Sequence, residues 1–376
     1  MARLDSVQSA LQTAVDEGTF PGAVLAVRLR GTVVYEGAAG RLSSQTPSDS
    51  VTVETCYDLA SLTKVLATTT ALVLLIQRGL VTLEDRIDRI LIELQGSPVG
   101  SVTLRQLLTH SSGLPGWRPY YERIAEMEAS HHEFLGRVAV RQAMVRYIAQ
   151  ESLLYEPGSR SLYSDLGFML LGVAVERSAG QSLDQFCGSQ MYGPLGAEPL
   201  AYVPRGPNAL SARALVPGCT MAPTEEDPWR GRTLCGEVHD ENAFALGGVA
   251  GHAGLFGNVR AIFAVTRAWM DGRLGKAGLL KPDLVTMFTT RQQDVPKSSW
   301  ALGWDTPSAP SSSGTRFTPE SFGHLGYTGT SLWLDPVKEL EVVLLSNRVH
   351  PTRRNERIKA FRPLIHDLIC REFLGD

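Results

Sequence analysis

The sequence predicts an α/β (α+β) fold: an antiparallel β-sheet flanked by terminal helices, with an all-α domain inserted. Three observations predict it. Strand-like runs sit at both ends of the chain. Apolar spacing near 3.6 fills the middle. The 376 residues are 43% hydrophobic and 20% charged, which supplies a large core. A net charge of −3 gives no reason to expect nucleic acid or an anionic membrane as partner. No uninterrupted apolar run is long enough for a transmembrane helix.

The elements follow in order. Residues 1–20 read as an amphipathic helix with Leu4, Val7, Leu11, Ala14 and Val15 on one stripe. The segment lacks the basic start and unbroken apolar stretch of a secretory signal, so the chain as given is expected to be cytoplasmic unless a signal has been removed. Residues 22–39 predict a β-hairpin turning at Arg30-Gly31. From Ser61 to Leu80 the chain is apolar almost all round, which marks a helix buried inside the protein, stopped near Gly79. Helical spacing recurs at 103–108, 139–150 and 164–180, then at 259–275 and 281–290. Strands resume at 322–327, 331–335 and 341–346, before a terminal helix over 354–374 that Pro363 is expected to interrupt. The expected division is a discontinuous sheet domain, 1–60 with 250–376, and a mainly helical domain, 61–249, whose stretch 201–249 is irregular and rich in Gly and Pro.

Five scattered cysteines without C-x-x-C pairing argue against a disulfide framework or a zinc site. The basic residues are more telling. Only six of 36 are Lys, and Lys64 stands alone before Lys276. In so Arg-biased a chain, an isolated Lys suggests chemistry that needs a group able to lose its proton.

Lys64 closes Ser61-Leu-Thr-Lys64. On a helix, positions i and i+3 share a face, so hydroxyl and amine can meet. Burial among Leu62, Val65 and Leu66 is expected to lower the Lys64 pKa and let it take the serine proton. Alone the motif is weak, since chance gives it about once in two such chains. Ser61 as a helix cap with Lys64 reaching to solvent is the alternative. Tyr163-Ser-Asp165 can supply a proton relay beside the Lys, or simply cap the next helix. In Gly323-His-Leu-Gly-Tyr327, His324 can donate a hydrogen bond and the backbone N–H after Gly326 can hold an oxyanion. A Gly-rich hairpin is the plainer reading.

The combined order is more specific than its parts. Ser-x-x-Lys, Tyr-x-Asp and His-x-Gly-Tyr, with Leu107-Leu-Thr-His-Ser-Ser-Gly-Leu114, Tyr155-Glu-Pro-Gly158 and Gly254-Leu-Phe256, resemble the serine β-lactamase and penicillin-binding-protein superfamily over nearly the whole chain. Within it the chain looks like the class C β-lactamase-related serine hydrolases. Gly113-Leu-Pro-Gly-Trp-Arg-Pro119, Gly236-Glu-Val-His-Asp-Glu-Asn-Ala243 and Gly326-Tyr-Thr-Gly-Thr330 look like the muramyl-peptide amidases of that fold. The resemblance implies a β-lactamase/transpeptidase-like architecture and hydrolysis through an acyl-enzyme on Ser61. It further implies that Lys64 and Tyr163 share the acid–base work, with the N–H groups of Ser61 and Tyr327 on the oxyanion. It implies no metal or organic cofactor.

Two positions depart from the pattern. Asp165 stands where an Asn is usual and His324 where a Lys is usual, so a β-lactam loses an amide donor and a permanent cation. An ester or muramyl-peptide amide is therefore the expected small-molecule substrate, with weak or no β-lactam turnover. The alternatives are a non-catalytic binding protein that keeps the fold, or a true class C-like β-lactamase or D-Ala-D-Ala carboxypeptidase. His110 is expected as a helix-end or core histidine. Glu237, His239, Asp240, Glu241 and His252 lack metal-ligand spacing and are expected as pocket-wall groups. Trp117, Tyr120 and Tyr121 can wall a sugar or acyl group, or anchor a loop.

Overall fold

The structure is a computed structural model that describes residues 2–45, 47–131, 136–205 and 219–375. Part of the irregular stretch, 206–218, thus lies outside the described residues. Five strands form an antiparallel sheet: β1 (Gly22–Leu29), β2 (Thr32–Gly40), β3 (Phe322–Leu325), β4 (Ser331–Asp335) and β5 (Leu340–Ser346), in the order β2-β1-β5-β4-β3. The two chain ends are stitched together where Val24 faces Leu345 and Ala26 faces Val343.

Both faces of the sheet are covered, and the period of two along each strand sorts residues between them. Ala23, Leu25 and Val27 join Trp333, Val342 and Leu344 under the terminal helices α1 (Ala2–Asp16) and α9 (Ile358–Leu374). Val7, Leu11 and Ala14 bring the predicted stripe of α1 onto that face. Val24 and Ala26 turn the other way, into the large core shared with the middle of the chain. Helix α9 is not interrupted at Pro363. The carbonyl that loses its partner belongs to Lys359, an exposed residue, so the missing N–H leaves no buried polar group behind.

The buried helix of the middle region is a π-helical stretch Lys64–Thr69 continuing into α2 (Thr70–Gln77). Thr70 bonds back to the carbonyl of Val65, and such π-helical turns are frequent at functional sites. Around it lie α3 (Leu104–Leu108), α4 (Gly136–Ala149), α5 (Asp165–Ala179), α6 (Glu241–Ala245), α7 (Val259–Arg273) and α8 (Pro282–Thr289). Helix α5 packs its Gly172 against Gly251 so closely that a Cβ on Gly172 meets the Gly251 backbone at 2.7 Å. That approach fixes the loop carrying His252 against the middle of α5. None of the described helices is long and apolar enough to cross a membrane.

Candidate active site

Ser61 sits at the turn into the π-helical stretch, one residue after Ala60, whose φ of 47° is unusual for a side chain bearing Cβ. Buried Asp58 holds this bend by accepting the Ala60 N–H at 2.8 Å and the His239 N–H at 2.6 Å. The Gly-rich segment after β3 is clamped to the same bend. Thr328 donates to the Asp58 carbonyl at 2.7 Å and Thr330 to the Leu59 carbonyl at 3.1 Å. Buried Arg362 of α9 donates to the carbonyls of Gly326 and Thr330 at 2.9 and 2.7 Å. Gly326 is required here because a Cβ lies 1.9 Å from the Thr330 hydroxyl and 2.7 Å from the Leu59 carbonyl. Among the described residues, neither the Ser61 N–H nor the Tyr327 N–H has a hydrogen-bond partner. Two free amides on clamped neighbouring segments form an arrangement able to bind an oxyanion.

Lys64 is fully buried, with three partners for Nζ: Ser61 Oγ at 2.9 Å, Asp165 Oδ1 at 2.6 Å and the His252 carbonyl at 3.3 Å. The carboxylate and the carbonyl can only accept. A neutral amine therefore spends two N–H bonds on them and turns its lone pair to the Ser61 hydroxyl. The expectation of a lowered Lys64 pKa is overturned. Burial alone pushes it down, but the Asp165 carboxylate and Tyr163 beside it outweigh burial and raise it. Ammonium is the resting form, and the basic form is the minor one at neutral pH. The Tyr163 ring lies 4.8 Å from Nζ; burial pushes its phenol up, while Lys64 and Ser61 pull it partly back.

Asp165 reaches Lys64 because Ser164 takes the cap of α5, accepting the Gly167 N–H, which leaves Asp165 on the first turn facing Nζ. His110 is buried behind Tyr163 at 4.6 Å between rings and accepts the Ser164 N–H. Burial, with Lys64 and His324 nearby, holds it neutral. His324 is also buried, and burial with Lys64 nearby lowers its pKa to about 3. It is neutral, its Nδ1 close to the Leu325 carbonyl and its Nε2 without a partner among the described residues. The missing cation of the family pattern is therefore not restored by protonation near neutrality.

A cleft of about 360 Å³ opens above Ser61 and gathers Tyr163, Asp165, Trp117, Tyr327, His239, Asp240, Glu241 and His252. Glu237 is not among its lining residues; it pairs with Arg232 at 2.7 Å. Tyr120 is buried and bonds Glu151, so of the three aromatic candidates only Trp117 lines the cleft. Sequence reasoning missed Arg353, which enters the wall from the far end of the chain and pairs with Glu225 and with Glu241 at 2.7 Å. Glu225 also holds the His239 ring at 3.0 Å, which in turn stacks on Tyr327. Burial pushes Glu225 up, yet these two partners bring its pKa down to about 2. His252 pairs with Asp240 at 2.8 Å; burial opposes ionisation of Asp240, but the ring and the Ala243 N–H hold it well below the usual range. Among the described residues no group of His, Cys, Asp and Glu has a metal-binding arrangement.

The Beta-lactamase family model matches residues 7–365. A provisionally named D-alanyl-D-alanine carboxypeptidase of Escherichia coli (strain K12) is 34% identical over 93% of this chain and 83% of its own. An N-acetylmuramyl-L-alanine amidase of Bacillus subtilis (strain 168) is 30% identical over 88% of this chain and 78% of its own. Among solved structures, EstCE1, a hydrolase with promiscuous acyltransferase activity, superposes with a TM-score of 0.72 at 23% identity, covering 97% of this chain and 99% of that one. Simvastatin synthase from Aspergillus terreus gives 0.73 at 20% identity with both chains fully covered. These structures share the fold, and the chain is a serine hydrolase that belongs to the Beta-lactamase family.

Proposed function

We propose that the chain cleaves small amides and esters through an acyl-enzyme on Ser61, with muramyl-peptide amides as its natural substrate class. The observation that carries the reading is the 2.9 Å contact between Lys64 Nζ and Ser61 Oγ, with the other two Nζ contacts made to pure acceptors. Neutral Lys64 takes the Ser61 proton as Oγ attacks the carbonyl carbon. The oxyanion falls between the N–H groups of Ser61 and Tyr327. Tyr163, recharged through Lys64, protonates the leaving nitrogen or oxygen. Water then enters, gives its proton back through the same pair, and frees the acid product.

The polar wall of the cleft supports a hydroxylated acyl part over a plain alkyl one. Trp117 is 42% exposed and offers a flat apolar face, while Arg353, Glu241 and His239 offer donors and acceptors beside it. The amidase from Bacillus subtilis supports the same substrate class by its name. The test is labelling by a fluorophosphonate followed by a substrate panel. Wild type is expected to label at Ser61, and Ser61→Ala to lose both labelling and hydrolysis of a MurNAc–L-Ala amide. Ester or amide turnover by Ser61→Ala within tenfold of wild type overturns the assignment.

A further inference from the structure

A second cleft, of about 440 Å³, is lined by Arg160, Lys297, Trp300, Ser159, Ser161 and Ser298 among others. Its two sides are the segment leading into Tyr163 and the loop after α8. Trp300 connects it to the first cleft through Tyr163, a lining residue there: the two rings stack with centroids 5.6 Å apart and planes 28° apart. Among the described residues neither Arg160 nor Lys297 has an ion-pair partner. Many other basic side chains near the molecule's clefts are neutralised, as Arg353 is by two carboxylates and Lys64 by Asp165. Lys297 also holds a left-handed backbone, φ 64°, a conformation that costs energy for a residue with a Cβ.

Direction follows from the chemistry. The group that protonates the leaving atom must stand beside it, so the leaving group departs along Tyr163. Past Tyr163 lie Trp300 and the two unpaired cations. The acyl part must then occupy the opposite wall, where Asp240 and Glu241 put carboxylates. We propose that Arg160 and Lys297 form an anion subsite for the leaving group, so that the enzyme prefers substrates whose departing amine or alcohol carries a carboxylate, as an acidic peptide does. The Ser298 hydroxyl accepts the Trp300 backbone N–H at 3.3 Å and keeps its own proton to donate to such a carboxylate. The proposal rests on the acyl-enzyme reading for its direction, but the two can fail separately.

The experiment compares phenyl acetate with para-acetoxybenzoate, which share an acyl group and differ by a carboxylate on the leaving group. Wild type and Arg160→Ser/Lys297→Ser are measured at low and high salt. Both substituted side chains are exposed, so the fold is expected to survive. The double variant should lose about tenfold in kcat/KM on para-acetoxybenzoate and less than twofold on phenyl acetate, a size set by solvent-exposed charge pairing. The wild-type preference should shrink as salt screens it. An unchanged substrate ratio in the double variant overturns the subsite. Should Ser61 fail to label with a fluorophosphonate, the acyl-enzyme reading is what fails. Calorimetric binding of alanylglutamate then decides the subsite: weaker binding to the double variant supports it, and equal binding or none to wild type overturns it.

Discussion

Replacing Asp165 by Asn removes the carboxylate that keeps Lys64 charged and leaves an acceptor of nearly the same shape. At 2.6 Å, with an effective dielectric of about 20, the pair attracts by roughly 6 kcal/mol before desolvation is subtracted. Removing one partner of a fully buried pair costs about 3–5 kcal/mol. Asp165 is partly open to the cleft and Asn keeps one hydrogen bond, so a loss of about 2 kcal/mol is expected near neutral pH. The sign of the pH effect follows from the raised Lys64 pKa. Stability from the pair is fully present below the unfolded value, about 10.4, and is lost as pH rises through the folded value. Asp165→Asn should therefore unfold several degrees earlier at pH 7 and show less of that alkaline loss. Catalysis should move the opposite way. With the carboxylate gone, burial pushes Lys64 down and neutral amine becomes available at lower pH. The acid limb of kcat/KM for a short nitrophenyl ester, which belongs to the Lys64–Tyr163 pair jointly, should shift toward acid. Superimposable limbs for wild type and Asp165→Asn would refute Lys64 as the titrating base.

Other substitutions probe the remaining parts. Lys64→Arg keeps the charge but cannot yield a neutral base, so ester turnover should fall by about a thousandfold or more in protein that circular dichroism shows to be folded. Gly326→Ala forces its Cβ into Thr330 and the Leu59 carbonyl, displacing the Tyr327 N–H from the Ser61 N–H; kcat should fall about a hundredfold, with about 1–3 kcal/mol lost in denaturant unfolding. Neutral, buried His324 and Asp165 deny a β-lactam one charge-assisted bond, worth about 1.5–3 kcal/mol, and one amide bond, worth about 0.5–1.5 kcal/mol. Nitrocefin should thus be turned over about a hundredfold less efficiently than by a dedicated β-lactamase, and a nitrocefin rate above that of every ester and muropeptide tested contradicts this. Trp117→Ala and His239→Ala should raise KM for a muropeptide more than for phenyl acetate; equal effects on both remove the basis for a hydroxylated acyl group.

The sequence by itself determined the framework. Alternating and 3.6-residue periodicities placed the hairpin at 22–39, the strands at both ends and the long middle helices, because these patterns report directly on which faces are buried. Ser61, Lys64 and Tyr163 were legible as candidates because their spacing is local or falls at the start of an element. Other features are nonlocal and only the tertiary structure decided them. Arg353 enters the cleft from near the C-terminus, Thr328 and Thr330 clamp residues 270 and 271 positions earlier, and Arg362 clamps Gly326 from another element. Glu237 and His239 are two positions apart, yet only His239 lines the cleft, since Arg232 and Arg230 hold Glu237 elsewhere. The charge of Lys64 was the sharpest reversal. Burial is readable from apolar neighbours and lowers a lysine's pKa, but a carboxylate 101 positions away, brought to 2.6 Å by the capping of α5, raises it again. A pKa is set by the sum of desolvation and nearby charge, and only the first of these is written in the local sequence.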